Sequence, residues 1–269
     1  IFFCCFSLIS CNTEKSAEQY LASAKLLMQS GEYKSAIIEL KNAVRMQPKN
    51  GENRYLLAKS YMLEGQNKSA KKELLRSIEL NYNENIVLPM LIRNDLMVGD
   101  RDSLFENLEN AQQLTPESQS EVHAVAGIGL TYMGDIQTGL QFLEKILILN
   151  LPDNFYTQLA KAWVAGNNDQ VNQAITLTNN LVTTDSEFFD ALLVRANLHM
   201  IANDFKQAET EFALYLQKLP NNYLVRTSYI SALIRNENYQ LANVEVDKIL
   251  FKFPSSIIAH EFKAELSLR

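Results

Sequence analysis

The sequence predicts an all-α protein, a right-handed solenoid of antiparallel helix pairs, and two observations lead to this fold class. First, Gly31, Gly65 and Gly99 follow one another at intervals of 34 residues, so the chain has an internal period. Second, the 269 residues include only 9 Gly and 6 Pro, whereas Leu, Ala, Glu, Lys and Gln, which favour helices, are abundant. With 47% hydrophobic residues, the chain can bury a continuous core.

The first period shows what this spacing means physically. Apolar side chains recur at helical intervals in two runs, which comprise Tyr20, Ala24 and Leu27, and then Ala36, Leu40 and Ala43. Gly31 between the runs suits the left-handed residue that ends a helix, and Pro48 ends the second helix. Small residues in both runs let the two helix axes approach closely. Each period therefore encodes one antiparallel helix pair.

A period near 34 residues with this pattern is typical of the tetratricopeptide repeat (TPR), in which neighbouring helix pairs stack. Seven TPR-like repeats are predicted, at 17–50, 51–84, 85–118, 119–154, 155–188, 189–222 and 223–256. The first helix of a truncated eighth repeat follows at 257–269. We expect it to be the least stable element, or to pack against a neighbouring molecule, because one side has no covering helix. The third repeat departs from the pattern at Asp95 and Leu104, and the fifth keeps only Ala174 as a clear anchor.

The N-terminus has the features of a bacterial lipoprotein signal. Residues 1–9 form an almost unbroken apolar run that is too short to span a bilayer, and the Leu-Ile-Ser-Cys string ending at Cys11 is similar to a lipobox. We expect residues 1–10 to be a signal peptide remnant, Cys11 to be lipidated, and 11–16 to form the tether. Asn12 after the cysteine favours the outer membrane, with the protein facing the periplasm. The alternative is a buried apolar N-terminal strand or helix.

The composition argues against several function classes. The net charge is -6, which does not favour nucleic acid, and the 3 cysteines all lie within the first eleven residues, so they build neither a disulfide framework nor a zinc site. The 3 histidines fall on separate repeats, and the sequence contains no phosphate-binding loop or nucleophile motif. We therefore expect no enzyme activity, no cofactor, no metal and no nucleic-acid partner.

The early repeats are mildly basic against an acidic remainder. Lys71, Lys72 and Arg76 on the second helix of the second repeat illustrate this charge. We interpret them as a solvated face with weak ion pairs. The alternative is a surface that orients an anionic polymer or partner.

The exposed side of the first helices is the candidate binding groove, since ligands of TPR proteins commonly lie there. It comprises Leu21, Lys25, Met28, Tyr55, Lys59, Met62, Arg93, Leu96, Met97, Tyr156, Trp163, Leu193, Asn197 and Met200. The recurring Met thioethers would adapt to apolar peptide segments, or they merely pack between adjacent first helices. Trp163 lines the groove if the 34-residue register holds, and belongs to the core if its helix is shifted by two residues.

Four strings in the first two repeats resemble one group of TPR proteins. They are YLASAK at 20–25, GEYKSAIIELKNA at 31–43, YLLA at 55–58 and AKKEL at 70–74. Together with the preceding lipobox, they are similar to the TPR-repeat lipoproteins of the PEP-CTERM/exosortase protein-sorting and exopolysaccharide systems of Gram-negative bacteria. The resemblance covers about residues 11–84. It implies a lipid-anchored scaffold with protein or peptide partners, linked to protein sorting or to the polysaccharide-export machinery. The alternative is a lipoprotein accessory factor of another outer-membrane assembly or secretion machine.

Overall fold

The computed structural model describes residues 15–149, 151–184 and 189–269. Within these ranges the chain forms fifteen α-helices and no β-strand, which confirms the predicted all-α class. The helices are α1 (Ala17–Gln29), α2 (Tyr33–Met46), α3 (Gly51–Leu63), α4 (Asn67–Glu79), α5 (Glu84–Val98), α6 (Arg101–Asn110), α7 (Pro116–Tyr132), α8 (Ile136–Ile148), α9 (Phe155–Asn167), α10 (Val171–Thr184), α11 (Phe189–Ile201), α12 (Phe205–Lys218), α13 (Tyr223–Arg235), α14 (Tyr239–Lys252) and α15 (Ile257–Leu266). The predicted signal peptide and Cys11 lie outside the described residues.

Successive helices pack as antiparallel pairs, and each pair packs on the next, so the array is a TPR-like solenoid. The largest difference from the predicted repeats is at α7, which begins at Pro116 rather than at 119. Thr115 caps this helix by accepting a hydrogen bond from the Ser118 amide, and Pro116 occupies the first helical position, where no amide hydrogen is needed.

The turn inside each pair requires one residue with positive φ. Gly31 has φ +79°, and the amide of Glu32 donates to the carbonyl of Leu27 at 2.8 Å, which closes the helix end. The later pairs use other residues at the corresponding turn: Asp169, Asn203 and Glu237, with φ 62°, 58° and 60°. Side chains with a Cβ adopt this region at a cost of roughly 1–2 kcal/mol. The later turns therefore keep a residue with positive φ, but that residue is no longer glycine.

The third pair keeps the solenoid by satisfying its irregular residues. Pro89 lies inside α5 and has no amide hydrogen for the carbonyl of Asn85, and the Ser118 hydroxyl donates to that carbonyl at 3.0 Å instead. Asp95 is fully buried, accepts from Asn107 Nδ2 at 2.7 Å, and lies 2.8 Å from Lys71 Nζ. These contacts explain how polar and helix-breaking residues occur in a packed helix.

The apolar core runs along the array and thins at its end. Ala259 and Leu266 of α15 are buried against α13 and α14, whereas Ile257 is 76% exposed and Leu268 is 87% exposed. Within the described ranges, none of the helices combines the length and the apolar character needed to cross a bilayer.

Candidate functional site

The concave side of the solenoid contains a partly open cavity of about 390 Å³. Its walls come mainly from first helices of the pairs, namely α3, α5, α7, α9, α11 and α13, together with the C-terminal end of α12. This volume lies in the range of pockets that hold a small ligand or a few side chains of a peptide.

The cavity is narrowed on one side, and partly open to solvent, because the solenoid turns back on itself. Asn221 Nδ2 donates to the carbonyl of Leu63 at 2.9 Å, although the two residues are 158 positions apart. The backbone is close enough there that a Cβ placed on Gly65 would lie 3.0 Å from Asn221 Cβ. An early and a late repeat therefore meet across the concave face.

A polar cluster links four helices on one wall of the cavity. Arg93 Nη2 donates to Glu121 Oε1 at 2.9 Å, to the Tyr156 hydroxyl at 2.8 Å and to Asp190 Oδ2 at 2.8 Å. The Tyr156 hydroxyl in turn donates to Glu121 Oε1 at 3.1 Å. Arg93 already has two carboxylate partners, so its positive charge is fully compensated within the cluster, which braces α5, α7, α9 and α11 against one another.

The surroundings of Arg93 favour its charged form, and those of Tyr156 favour its neutral form. Burial by itself would lower the pKa of Arg93, but the combined effect of Asp190, Tyr156 and Glu121 raises that pKa well above its ordinary value. Burial raises the pKa of the Tyr156 hydroxyl, so this group stays protonated and keeps its hydrogen bond to Glu121. Arg93 therefore stays charged and the Tyr156 hydroxyl stays neutral across the neutral pH range.

The remaining lining is mostly apolar. Tyr132 donates from its hydroxyl to the carbonyl of Leu193 at 3.3 Å, and the Tyr215 hydroxyl accepts from Asn222 Nδ2 at 2.9 Å, so both rings present their faces to the cavity region with the hydroxyls engaged. Lys59 also lines the cavity, is exposed, and forms no ion pair with another described residue. The cavity thus offers apolar contact, one paired cation and one available cation.

Seven of the predicted groove residues line this cavity. They are Lys59, Met62, Arg93, Leu96, Met97, Tyr156 and Leu193. Met62 is buried in the core and Met97 packs half-buried against it, and both also border the cavity.

The other predicted groove residues lie elsewhere. In the first repeat, Leu21 and Met28 pack half-buried against the core, and Lys25 Nζ lies 2.7 Å from Glu52 Oε1. The ring of Tyr55 packs against that of Tyr82 with centroids 5.8 Å apart.

The two last residues of the predicted groove, both on α11, are likewise absent from the described cavity lining. Asn197 Nδ2 donates to the Leu193 carbonyl of its own helix at 2.7 Å, and Met200 packs against the C-terminal part of the core. The first turns of α11 therefore contribute to the cavity, whereas its last turn does not.

The structure places Trp163 in the core and not in the groove. The side chain is 6% exposed and packs with Leu159 and Leu198, and its ring centroid lies 6.2 Å from that of Tyr132. Of the predicted α9 residues, Tyr156 alone reaches the cavity.

Sequence reasoning missed the lining from α7 and from the late repeats. These residues include Val125, Ile128, Tyr132, Phe189, Asp190, Tyr215, Leu219, Leu224 and Val225. One signal was available, because Asp190 precedes Leu193 by about one helical turn and so shares its face. The α7 residues were missed because no groove residues were predicted for the fourth repeat.

Comparisons with known proteins agree with this architecture. Residues 27–87 match the sequence profile of the tetratricopeptide repeat family. No curated protein sequence matches the chain.

Three solved structures illustrate the likeness in fold. A tetratricopeptide repeat protein from Parabacteroides merdae is 16% identical, with 95% of this chain and 100% of that chain covered and a TM-score of 0.52. A human IFIT1 dimer with m7Gppp-AAAA is 16% identical over 95% of this chain and 64% of that one, with a TM-score of 0.60. The APC/C hetero-tetramer Cut9-Hcn1 is 14% identical over 93% and 42%, with a TM-score of 0.50. At these identities the likeness concerns the fold alone, and the fold of this chain is that of a TPR-like solenoid.

Proposed function

We propose that this protein is a non-catalytic, membrane-anchored scaffold whose concave cavity holds an apolar, extended segment of a partner protein. The observation that carries the proposal is the partly open cavity of about 390 Å³ with Met and aromatic side chains on its walls. Met side chains adapt to varied apolar partners, and a preformed cavity lowers the ordering cost of binding.

We assign the partner to envelope protein sorting of the PEP-CTERM/exosortase type or to exopolysaccharide biosynthesis and export. The support is the resemblance of residues 11–84 and the lipobox-like string that ends at Cys11. Lipid on Cys11 would anchor the scaffold to a membrane facing the periplasm. We assign it to the outer membrane because Asn12 follows the cysteine. Incorporation of radiolabelled palmitate into the chain, but not into a Cys11→Ala variant, tests this anchor.

A nucleic-acid ligand is not proposed, although the IFIT1 structure contains m7Gppp-AAAA. The described cavity lining has two cations, Lys59 and Arg93, and the second is neutralised by Asp190 and Glu121. A phosphate chain needs several unpaired cations, so the charge of the cavity suits a peptide better.

The experiment is site-specific photo-cross-linking in cells. A photoreactive phenylalanine analogue replaces Met97 or Leu224, which line the cavity, and a matched variant carries it at exposed Lys252. We expect protein adducts from the two cavity positions and none from position 252, with partners that carry a sorting signal or belong to polysaccharide export.

Each other outcome has a defined meaning. Adducts with outer-membrane assembly or secretion components would assign the scaffold to one of those machines instead. Equal adducts from the cavity and control positions would exclude the cavity as the peptide site.

A further inference from the structure

The outer surface of the first two helix pairs carries a regular set of cations and apolar side chains, which we name the basic face. On α2 it consists of Lys34, Ile38 and Lys41, and on α4 of Lys68, Lys72 and Leu75. The spacing i, i+4, i+7 places each set of three on one side of its helix. The two sets are also 34 residues apart, so neighbouring repeats present them side by side.

The lysines of this face are available for an external anion. Lys34, Lys68 and Lys72 are exposed and form no ion pair with any other described residue. The carboxylates on the same two helices are already engaged, because Glu39 pairs with Lys15 at 3.0 Å and Glu73 pairs with Arg54 at 2.7 Å.

The charge of this surface changes from positive to negative at the next repeat. The equivalent positions of α6 are Asp102, Glu106 and Glu109, and all three are exposed. The basic face is therefore confined to the N-terminal end of the array and is not a general property of the second helices. A local cationic patch on a protein of net charge -6 points to a specific anionic surface.

Exposed apolar side chains lie among these lysines. Ile38 is 62% exposed and Leu75 is 43% exposed, at positions where a solvated helix would carry polar groups. A soluble polyanion offers no contact for such side chains. A bilayer interface accepts them beside its charged headgroups, while the lysine stems extend along its surface.

The chain enters the fold next to this face. Lys15 Nζ contacts Glu39 Oε2, and Glu39 follows Ile38 on α2. Cys11 lies at most about 14 Å of extended chain before Lys15. A lipid on Cys11 would therefore keep the bilayer within reach of the basic face.

We propose that the basic face lies on the surface of an anionic bilayer, which orients the solenoid on the membrane. The inference adds to the proposed lipid anchor and rests on it for the nearness of the bilayer. It fixes which side of the protein faces the lipid and leaves the cavity side free for the partner.

The test measures co-sedimentation of the full chain, carrying Cys11→Ala so that no lipid is attached, with two kinds of vesicle. One consists of equal parts of phosphatidylglycerol and phosphatidylcholine, and the other of phosphatidylcholine alone. The apolar run 1–9 contributes the same background to every variant. We expect tighter binding to the anionic vesicles, and a roughly hundredfold loss of that binding in the triple variant K34Q/K68Q/K72Q.

Two further variants make the result decisive. K145Q/K206Q/K252Q changes the net charge equally at exposed lysines of later helices and should bind like the parent chain. I38S/L75S keeps every charge and should bind the anionic vesicles more weakly. Equal losses in both lysine variants would overturn the proposal. Unchanged vesicle binding by I38S/L75S, with displacement of the chain by soluble alginate, would identify an anionic polymer as the partner instead. If palmitate labelling of Cys11 fails while this pattern holds, only the anchor is wrong.

Discussion

Removing the charge of Arg93 tests whether the wall of the cavity is a structural unit. Arg93 makes hydrogen bonds at 2.8–2.9 Å to three groups, and its carboxylate partners Glu121 and Asp190 have side chains that are 26% and 28% exposed. Breaking a fully buried ion pair costs about 3–5 kcal/mol. Since water reaches about a quarter of each partner, we expect Arg93→Met to lower the free energy of unfolding by about 2–3 kcal/mol.

The assay is urea unfolding followed by the fluorescence of Trp163, the only tryptophan in the sequence, and by far-UV circular dichroism. The matched control is Arg76→Met, which removes an exposed pair with Glu79 and should cost less than about 1 kcal/mol. Asp190→Asn and the double variant complete a mutant cycle, in which we expect a coupling energy of about 1–2 kcal/mol between Arg93 and Asp190.

Two results would refute this reasoning. The first is an equal cost for Arg93→Met and Arg76→Met, because the cluster would then behave like an exposed pair. The second is strict additivity of Arg93→Met and Asp190→Asn, because the third and sixth helix pairs would then be energetically independent. The expected coupling instead requires that α5 and α11 stay together in the folded protein.

Three further predictions concern stability. Glu237→Gly should stabilise the protein by about 1 kcal/mol in urea unfolding, because Glu237 has φ 60° and glycine adopts that conformation without a Cβ penalty. The control Glu237→Ala keeps the Cβ and should give no gain in stability. Burial and the nearby Lys145 lower the pKa of His123 to about 4, below its ordinary 6.5, so the unfolded chain takes up the proton first. Neutral His123 therefore contributes its full stability above pH 6.5. As the pH falls to about 4, the free energy of unfolding should drop by about 3 kcal/mol. The free energy of unfolding of His123→Leu should depend less on pH over that window. Gly139→Ala should destabilise by about 2 kcal/mol in thermal unfolding, since its Cβ would lie 2.6 Å from the Gly127 carbonyl oxygen; an unchanged melting temperature would contradict the close approach of α7 and α8.

The parts of this structure that depend on local spacing could be predicted from the sequence. The intervals between Gly31, Gly65 and Gly99 mark turns that require positive φ, and all three residues have it. Met62 and Lys59, or Met97 and Arg93, share a helix face because their spacing is close to one turn, and all four line the cavity.

The contact between early and late repeats beside the cavity could not be predicted in the same way. Whether Leu63 meets Asn221 depends on the small rotation between neighbouring helix pairs, which accumulates over several repeats and has no local sequence signal. The position of Trp163 was left open for a related reason, because α9 has no glycine turn and the residue with positive φ there is Asp169. Without that marker, the register of the helix face was open by two residues.

The third helix pair connects the irregular sequence to the candidate site. Its first helix, α5, contains Pro89 and the buried Asp95, both unfavourable in a packed helix, and each is compensated by polar groups of neighbouring helices. The same helix supplies Arg93, which reaches α7, α9 and α11. A repeat that had merely lost its pattern would have no reason to keep these compensating partners. Departures from local rules are expected where a protein carries function, and the irregular pair contributes Arg93 and its neighbours on α5 to the cavity wall.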